Sequence, residues 1–155
     1  MPTYSFKSSG KSVINNLTSS RSIPQIPIGI KTPLRLGEKT GIFDMHTSLL
    51  DQISDNLKNL LLTNNGERVA FYDFGANLRR LTTEFEAQED FDSAAMDSIR
   101  SAVGRWMPYV DLVDFNSETN HVENKNTAIR EITITYNVPS INIENRKLLI
   151  RLYVI

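Results

Sequence analysis

Residues 57–84 read LKNLLLTNNGERVAFYDFGANLRRLTTE, and this segment constrains the fold more tightly than any other part of the chain. Leu57, Leu60 and Leu61 recur at the three- and four-residue spacing of a helix face, and Asn65-Gly66 supplies residue types that tolerate the positive φ of a tight turn. Helical sequence resumes at Ala76. An apolar helix is thus joined through a polar turn to a second, shorter helix.

A chain of 155 residues is long enough for one domain with a modest core. With 40% hydrophobic and 23% charged residues it matches ordinary soluble proteins, which excludes collagen-like and disordered classes. Cysteine is absent, so disulfide staples, thiolate metal sites and thiol catalysis are excluded, and assembly in a reducing cytoplasm is expected. No signal-peptide core and no apolar run of roughly 20 residues occurs, so a soluble, non-exported protein that does not span a membrane is expected. The net charge of −1 conceals an asymmetry. Residues 1–40 carry Lys7, Lys11, Arg21, Lys31, Arg35 and Lys39 against Glu38, whereas residues 84–97 carry Glu84, Glu86, Glu89, Asp90, Asp92 and Asp97 with no basic residue. Such asymmetry steers partners electrostatically.

Pro24, Pro27, Gly29, Pro33 and Gly37 prevent a helix or long strand in residues 1–40, which are expected to form an extended basic arm lying along another surface. Residues 41–155 form the expected domain. Its first helix is predicted from Asp44, as cap, to Leu62, with Met45, Leu49, Leu50, Ile53, Leu57, Leu60 and Leu61 on its apolar face. A second is predicted over residues 91–105, capped by Asp90 or Asp92, with Phe91, Ala94, Ala95, Ile99, Ala102 and Val103 buried; Pro108 prevents its continuation. Residues 109–115, 129–138 and 147–154 read as strands, and the polar residues 116–126 as a hairpin loop. The last strand has Leu148, Ile150, Leu152 and Val154 on one face and Leu149, Tyr153 and Ile155 on the other, a pattern of burial on both sides or of an edge open to a partner strand. The fold class is α+β: two main helices packed on a small three- to four-stranded sheet, with the N-terminal arm.

Catalytic patterns are weak. Gly10-Lys11-Ser12 lacks the first glycine of a phosphate-binding loop, because Ser5 stands there, and Asp73-Phe74-Gly75 has none of the other kinase elements. His46 and His121 have no second ligand at metal spacing and no serine and carboxylate in a triad pattern. Glu84, Glu86 and Glu89 provide the carboxylates of a glycoside hydrolase nominally, but without the apolar pocket that would keep one of them protonated. The basic arm lacks aromatics beyond Tyr4 and Phe6, and the chain as a whole is slightly acidic, so nucleic acid is not the expected ligand. A non-enzymatic binding or structural protein without cofactors remains.

Leu60-Leu61-Leu62-Thr63, Gly66-Glu67-Arg68, Phe74-Gly75 and Leu78-Arg79-Arg80-Leu81, at these offsets, resemble the lysozyme-like (GPW-type) baseplate wedge family of contractile-tailed phages, which has counterparts in type VI secretion baseplates. The resemblance covers about residues 43–155. It implies a structural subunit of the phage tail baseplate, part of the virion and assembled in the host cytoplasm, that binds other wedge proteins and initiates the sheath by accepting strands from the first sheath ring. The family's Glu-Pro-Arg tripeptide after the second long helix, implied to meet the wedge core, aligns with Met107-Pro108-Tyr109. Only Pro108 is kept. Arg105, Trp106 and Tyr109 offer an aromatic and cationic substitute, since such residues dominate interface hot spots, while a core role for Trp106 stays open. Glu67 and Arg68 serve either the turn or a partner, and Leu149, Arg151 and Tyr153 are the candidate partner-binding residues of the last strand. Residues 1–40 are expected to reach neighbouring wedge, tail tube or hub proteins. The alternative is a tail-associated peptidoglycan hydrolase using Glu84 or Glu86.

Overall fold

The computed structural model describes residues 26–37, 42–84, 87–121 and 128–154. Lys7, Lys11, Arg21, Lys39, the motif at residues 10–12, Glu86 and Ile155 lie outside the described residues. Two compact units divide the chain between Asp55 and Asn56.

In the first unit, β1 (Gly29–Ile30) pairs antiparallel with β2 (Met45–His46), Gly29 opposite His46 and Ile30 opposite Met45. Backbone bonds continue on either side, from Ile28 N to His46 O (2.8 Å), Lys31 N to Asp44 O (3.0 Å) and Gly37 N to Ile42 O (3.0 Å). This pairing corrects the predicted helix start. Helix α1 runs Leu49–Leu62 and not from Asp44. Met45 falls at helical spacing from Leu49, but Asp44, Met45 and His46 are committed to strand contacts, and Asp44 pairs with Lys31 Nζ at 3.1 Å rather than capping. Gln52 N donates to Ser48 O, which opens the helix.

Asp55 ties this unit together. Its carboxylate accepts from Thr32 N at 2.8 Å and lies 3.1 Å from His46 Nε2, with both side chains 11% exposed. Burial opposes its ionisation, yet the hydrogen bonds from Thr32 and His46 and the His46 charge together hold its pKa below the usual carboxylate value. A depressed folded pKa gives stability that is present above the unfolded pKa and lost as pH falls through the folded one. Asp55→Asn is therefore expected to lower stability at pH 7 by about 1 kcal/mol. In urea titrations the difference from wild type should shrink below about pH 4, where the unfolded carboxyl protonates. A difference independent of pH would remove the carboxylate from this role.

The second unit holds the rest of α1, then α2 (Leu78–Glu84), α3 (Gln88–Trp106), β3 (Asp111–His121), β4 (Ala128–Val138) and β5 (Ile143–Val154). The three strands form an antiparallel sheet in the order β3-β4-β5, so β3 and β5 are its edges. The observed fold is the expected α+β class, with α2 as a third, short helix. Helix α2 packs on α3 and β5, and α3 on β3. On β4 Arg130, Ile132, Ile134, Tyr136 and Val138 are buried on the face that sequence alternation selects, and Thr135 is buried on the other. Also buried are Phe91, Ala95, Ile99, Ala102 and Val103 of α3, Leu57, Leu60 and Leu61 of α1, and Ile150 and Leu152 of β5.

Further boundaries differ from the sequence reading, and β3 starts at Asp111 rather than at residue 109. Helix α3 begins at Gln88 after Ala87, which makes no side-chain cap bond; Asp90 sits in the first turn, and Asp92 instead accepts a hydrogen bond from the Ser117 hydroxyl. The predicted hairpin loop from Asn116 is strand as far as His121, because Asn116, Ser117, Glu118 and Thr119 find partners Thr133, Ile132, Glu131 and Arg130 on β4. Long-range pairing outweighs their weak strand preference. The last strand starts at Ile143 rather than Lys147, after a 3₁₀ turn at Pro139–Ile141 and a left-handed Asn142 (φ 54°).

Candidate partner-binding surfaces

The segment 63–77 closes the C-terminal end of α1. Carbonyls there have no partner within the helix. Ala76 N donates to Leu60 O (3.2 Å) and Asn77 N to Thr63 O (3.3 Å), so the returning chain satisfies them. Gly66 adopts φ 89° and donates to Tyr72 O at 2.7 Å, as the turn chemistry predicts; Asn65, by contrast, is not left-handed, whereas Ala70 (φ 70°) and Asn77 (φ 53°) are. Glu67 accepts from both Asn64 N and Asn64 Nδ2 at 2.9 Å. Those two bonds, backbone first, hold its pKa below the usual value, with Arg79 at 4.0 Å adding to them. Glu67 is thus a turn-forming residue whatever else it touches.

The end of α3 meets this turn. Trp106 receives Phe71 edge-on (5.7 Å between centroids, 90°) and Phe74 at 5.2 Å and 65°. Arg68 lies over the Phe74 ring at 4.1 Å, and Arg105 pairs with Asp73 while standing 5.4 Å from the Trp106 ring. Arg68, Phe74, Trp106 and Arg105 therefore form one continuous chain of contacts, cation to ring, ring edge to ring and ring to cation, each favourable by about 0.5–1.5 kcal/mol. Beyond it Pro108 and Tyr109 form an exposed turn, closed by Val110 N to Met107 O at 2.9 Å. Burial raises the Tyr109 phenol pKa. Phe71, Tyr72 and Tyr109 are 52%, 70% and 43% exposed, leaving aromatic surface at the cluster. Phe74 connects Trp106, and with it the 105–109 segment, to Arg68 of the turn. The turn aromatics Phe71 and Phe74 at three-residue spacing were the available signal.

Leu149, Arg151 and Tyr153 lie apart from that cluster, all on the outer face of β5. Arg151 Nε bonds Glu131 Oε1 at 2.6 Å across the strand pair. Leu149 (46%) and Tyr153 (65%) are apolar or aromatic yet exposed, and a shallow pocket at this edge is lined by Lys58, Leu62, Leu149, Ile150 and Arg151. The inner face of the sheet also carries a buried cation. Arg130 is 5% exposed, its guanidinium 4.1 Å above the Phe91 ring; burial lowers its pKa against the opposing charge of Asp92.

The family model described as baseplate wedge protein gp25 matches residues 47–142, more than half of the chain. This chain belongs to the gp25 baseplate wedge family. As a gp25-family protein it is a structural component of a baseplate of the phage-tail or type VI secretion kind. None of the curated proteins matches it in sequence. Two solved structures share its fold. One is a candidate tail lysozyme from Geobacter sulfurreducens, 19% identical, with a TM-score of 0.51 over 71% of this chain and 93% of that one. The other is a chain of the six-fold symmetrised baseplate of the anti-feeding prophage, 18% identical, with a TM-score of 0.58 over 70% of this chain and 82% of that one.

Of the carboxylates considered for hydrolysis in this gp25-family chain, Glu84 and Glu89 are among the described residues, and each stands on exposed helix surface. Glu84 is exposed and accepts from Arg80 Nε at 2.6 Å, and Glu89 is exposed in the first turn of α3. Among the described residues no His, Asp and Glu group has metal-binding geometry, and no helix is long and apolar enough to cross a membrane.

Proposed function

We propose that this gp25-family protein is a non-enzymatic wedge subunit that starts assembly of a contractile tail sheath by accepting a sheath strand along β5. Its wedge domain, residues 41–155, docks on the wedge core through Arg105, Trp106, Pro108 and Tyr109, flanked by Glu67 and Arg68. Residues 1–40 reach tail tube or hub proteins. The site of action is the virion baseplate, assembled in the host cytoplasm.

The observation that carries this reading is the character of β5. An edge strand offers unpaired backbone groups, and proteins normally blunt such edges. Here the edge keeps Leu149 and Tyr153 exposed beside a pocket bounded by Lys58 and Leu62. Strand addition uses these features together, with backbone bonds for affinity and side-chain pockets for register.

Deleting residues 147–155 is too blunt a test, because Ile150 and Leu152 are core residues. The double variant Leu149→Glu/Tyr153→Glu changes only exposed side chains and should keep wild-type circular dichroism and wedge incorporation. Sheathed tails should fall about tenfold or more, since each 1.4 kcal/mol of lost docking energy is tenfold. Normal sheathed tails would exclude β5 as the acceptor. Purified protein should release no peptidoglycan fragments; release abolished by Glu84→Gln would reverse the non-enzymatic assignment.

A further inference from the structure

The opposite edge of the sheet has its own docking geometry. Between α3 and β3 lies a groove lined by the apolar side chains of Met96, Ile99, Val113, Phe115 and Ile134, with Arg100 and Asp114 also on its lining. Met96 and Val113 are 40% and 52% exposed, so apolar surface stands open where the sheet ends. The irregularity in β3 is confined to Leu112/Asp114, and from Asp114 to His121 its register against β4 is uninterrupted. The edge is therefore regular over a length sufficient for another strand.

Its outer face is acidic. Asp114 and Glu118 are exposed on β3, and Glu118 stands directly opposite Glu131, an arrangement that destabilises a strand pair. Arg151 neutralises Glu131 from the other side. Among the described residues no cation pairs with Asp114 or Glu118; Asn116 Nδ2 donates to Glu118. A strand added here thus meets a mainly apolar groove on the helix side and the carboxylates of Asp114 and Glu118 along the strand.

The chain itself contains a segment with that pattern. In Thr3-Tyr4-Ser5-Phe6-Lys7 the aromatics alternate with Thr3, Ser5 and Lys7, so a strand pairing would turn Tyr4 and Phe6 to one face and Lys7 to the other. Residues 1–25 add Lys11 and Arg21 and contain no acidic residue. We infer that residues 3–7 of one copy of this protein add as a strand to the β3 edge of a second copy, Tyr4 and Phe6 entering the Met96/Val113/Phe115 groove and Lys7 facing Asp114 and Glu118. Donor and acceptor are different patches, so the contact is head-to-tail and propagates from copy to copy, closing into a ring where the rotation allows. The ring form rests on the baseplate reading above; the pairwise contact does not.

The cysteine-free sequence makes the test direct. Full-length Phe6→Cys and Val113→Cys proteins, differently tagged, are mixed and oxidised, so that any heterodimeric disulfide joins two molecules. The expected yield is about tenfold above that of Phe6→Cys mixed with Tyr153→Cys, equivalent to roughly 1.4 kcal/mol of preference for the β3 edge. Lys7→Glu in the donor should lower the yield, and Asp114→Lys/Glu118→Lys in the acceptor should restore it. Equal yields at the two edges would overturn the inference. So would closure only within a single molecule carrying both cysteines while the mixture stays unlinked. Because sheath formation is not measured, failure here leaves the β5 assignment standing, and failure of sheath docking leaves this one standing.

Discussion

Gly75→Ala is expected to destabilise the protein by about 3 kcal/mol or more, a large share of a stability that for domains of this size is about 5–15 kcal/mol. Gly75 is buried with φ 122°, a conformation that L side chains rarely adopt. A Cβ there would lie 2.2 Å from Thr63 O and 2.8 Å from its carbonyl carbon, both backbone atoms at the end of α1. Relief requires moving the chain that delivers Ala76 N to Leu60 O and Asn77 N to Thr63 O, so strain is joined by exposed or unpaired helix-end carbonyls. Gly66 is the internal comparison. It has φ 89°, but no atom lies within 4 Å of the place a Cβ would take, so Gly66→Ala should cost about 1 kcal/mol from conformation alone. Urea unfolding of both variants measures the difference, and equal midpoints would show that close approach at Gly75 is not what fixes the turn.

The same segment shows why part of this architecture is legible in sequence. Leu57, Leu60 and Leu61 are buried because their spacing is a local property of a helix, and Ile132, Ile134, Tyr136 and Val138 because alternation is a local property of a strand. What sequence reading missed depends on distant partners. Met45 has helical spacing but pairs with Ile30, and Ser117 looks like loop until Ile132 lies opposite it. Nothing local indicates that Phe91, thirty-nine positions before Arg130, would lie beneath its guanidinium. The candidate surface behaves alike. Its residues at 67–68 and 105–109 are each visible in sequence, while their union through Phe74 exists only after α3 returns to the turn.

Trp106→Ala separates the two roles that this union combines. Truncation removes edge contacts with both Phe71 and Phe74 and the support beneath Arg105, and large aromatic truncations cost about 3–5 kcal/mol when fully buried. Trp106 is only partly buried, so about 2–3 kcal/mol is expected, together with loosening of residues 63–77 in hydrogen exchange. Trp106→Phe keeps a ring against both neighbours and removes an indole Nε1 that is buried without an acceptor, so it should remain within about 1 kcal/mol of wild type. Tyr109→Ala, at an exposed position in the next turn, should leave stability unchanged. If residues 105–109 dock on the wedge, Tyr109→Ala nevertheless weakens capture of wedge partners about tenfold, and Trp106→Phe does so less than Trp106→Ala. Wild-type capture by Tyr109→Ala, with loss in Trp106→Ala tracking its unfolding, would assign this aromatic cluster to holding the turn against α3 and move the wedge contact elsewhere.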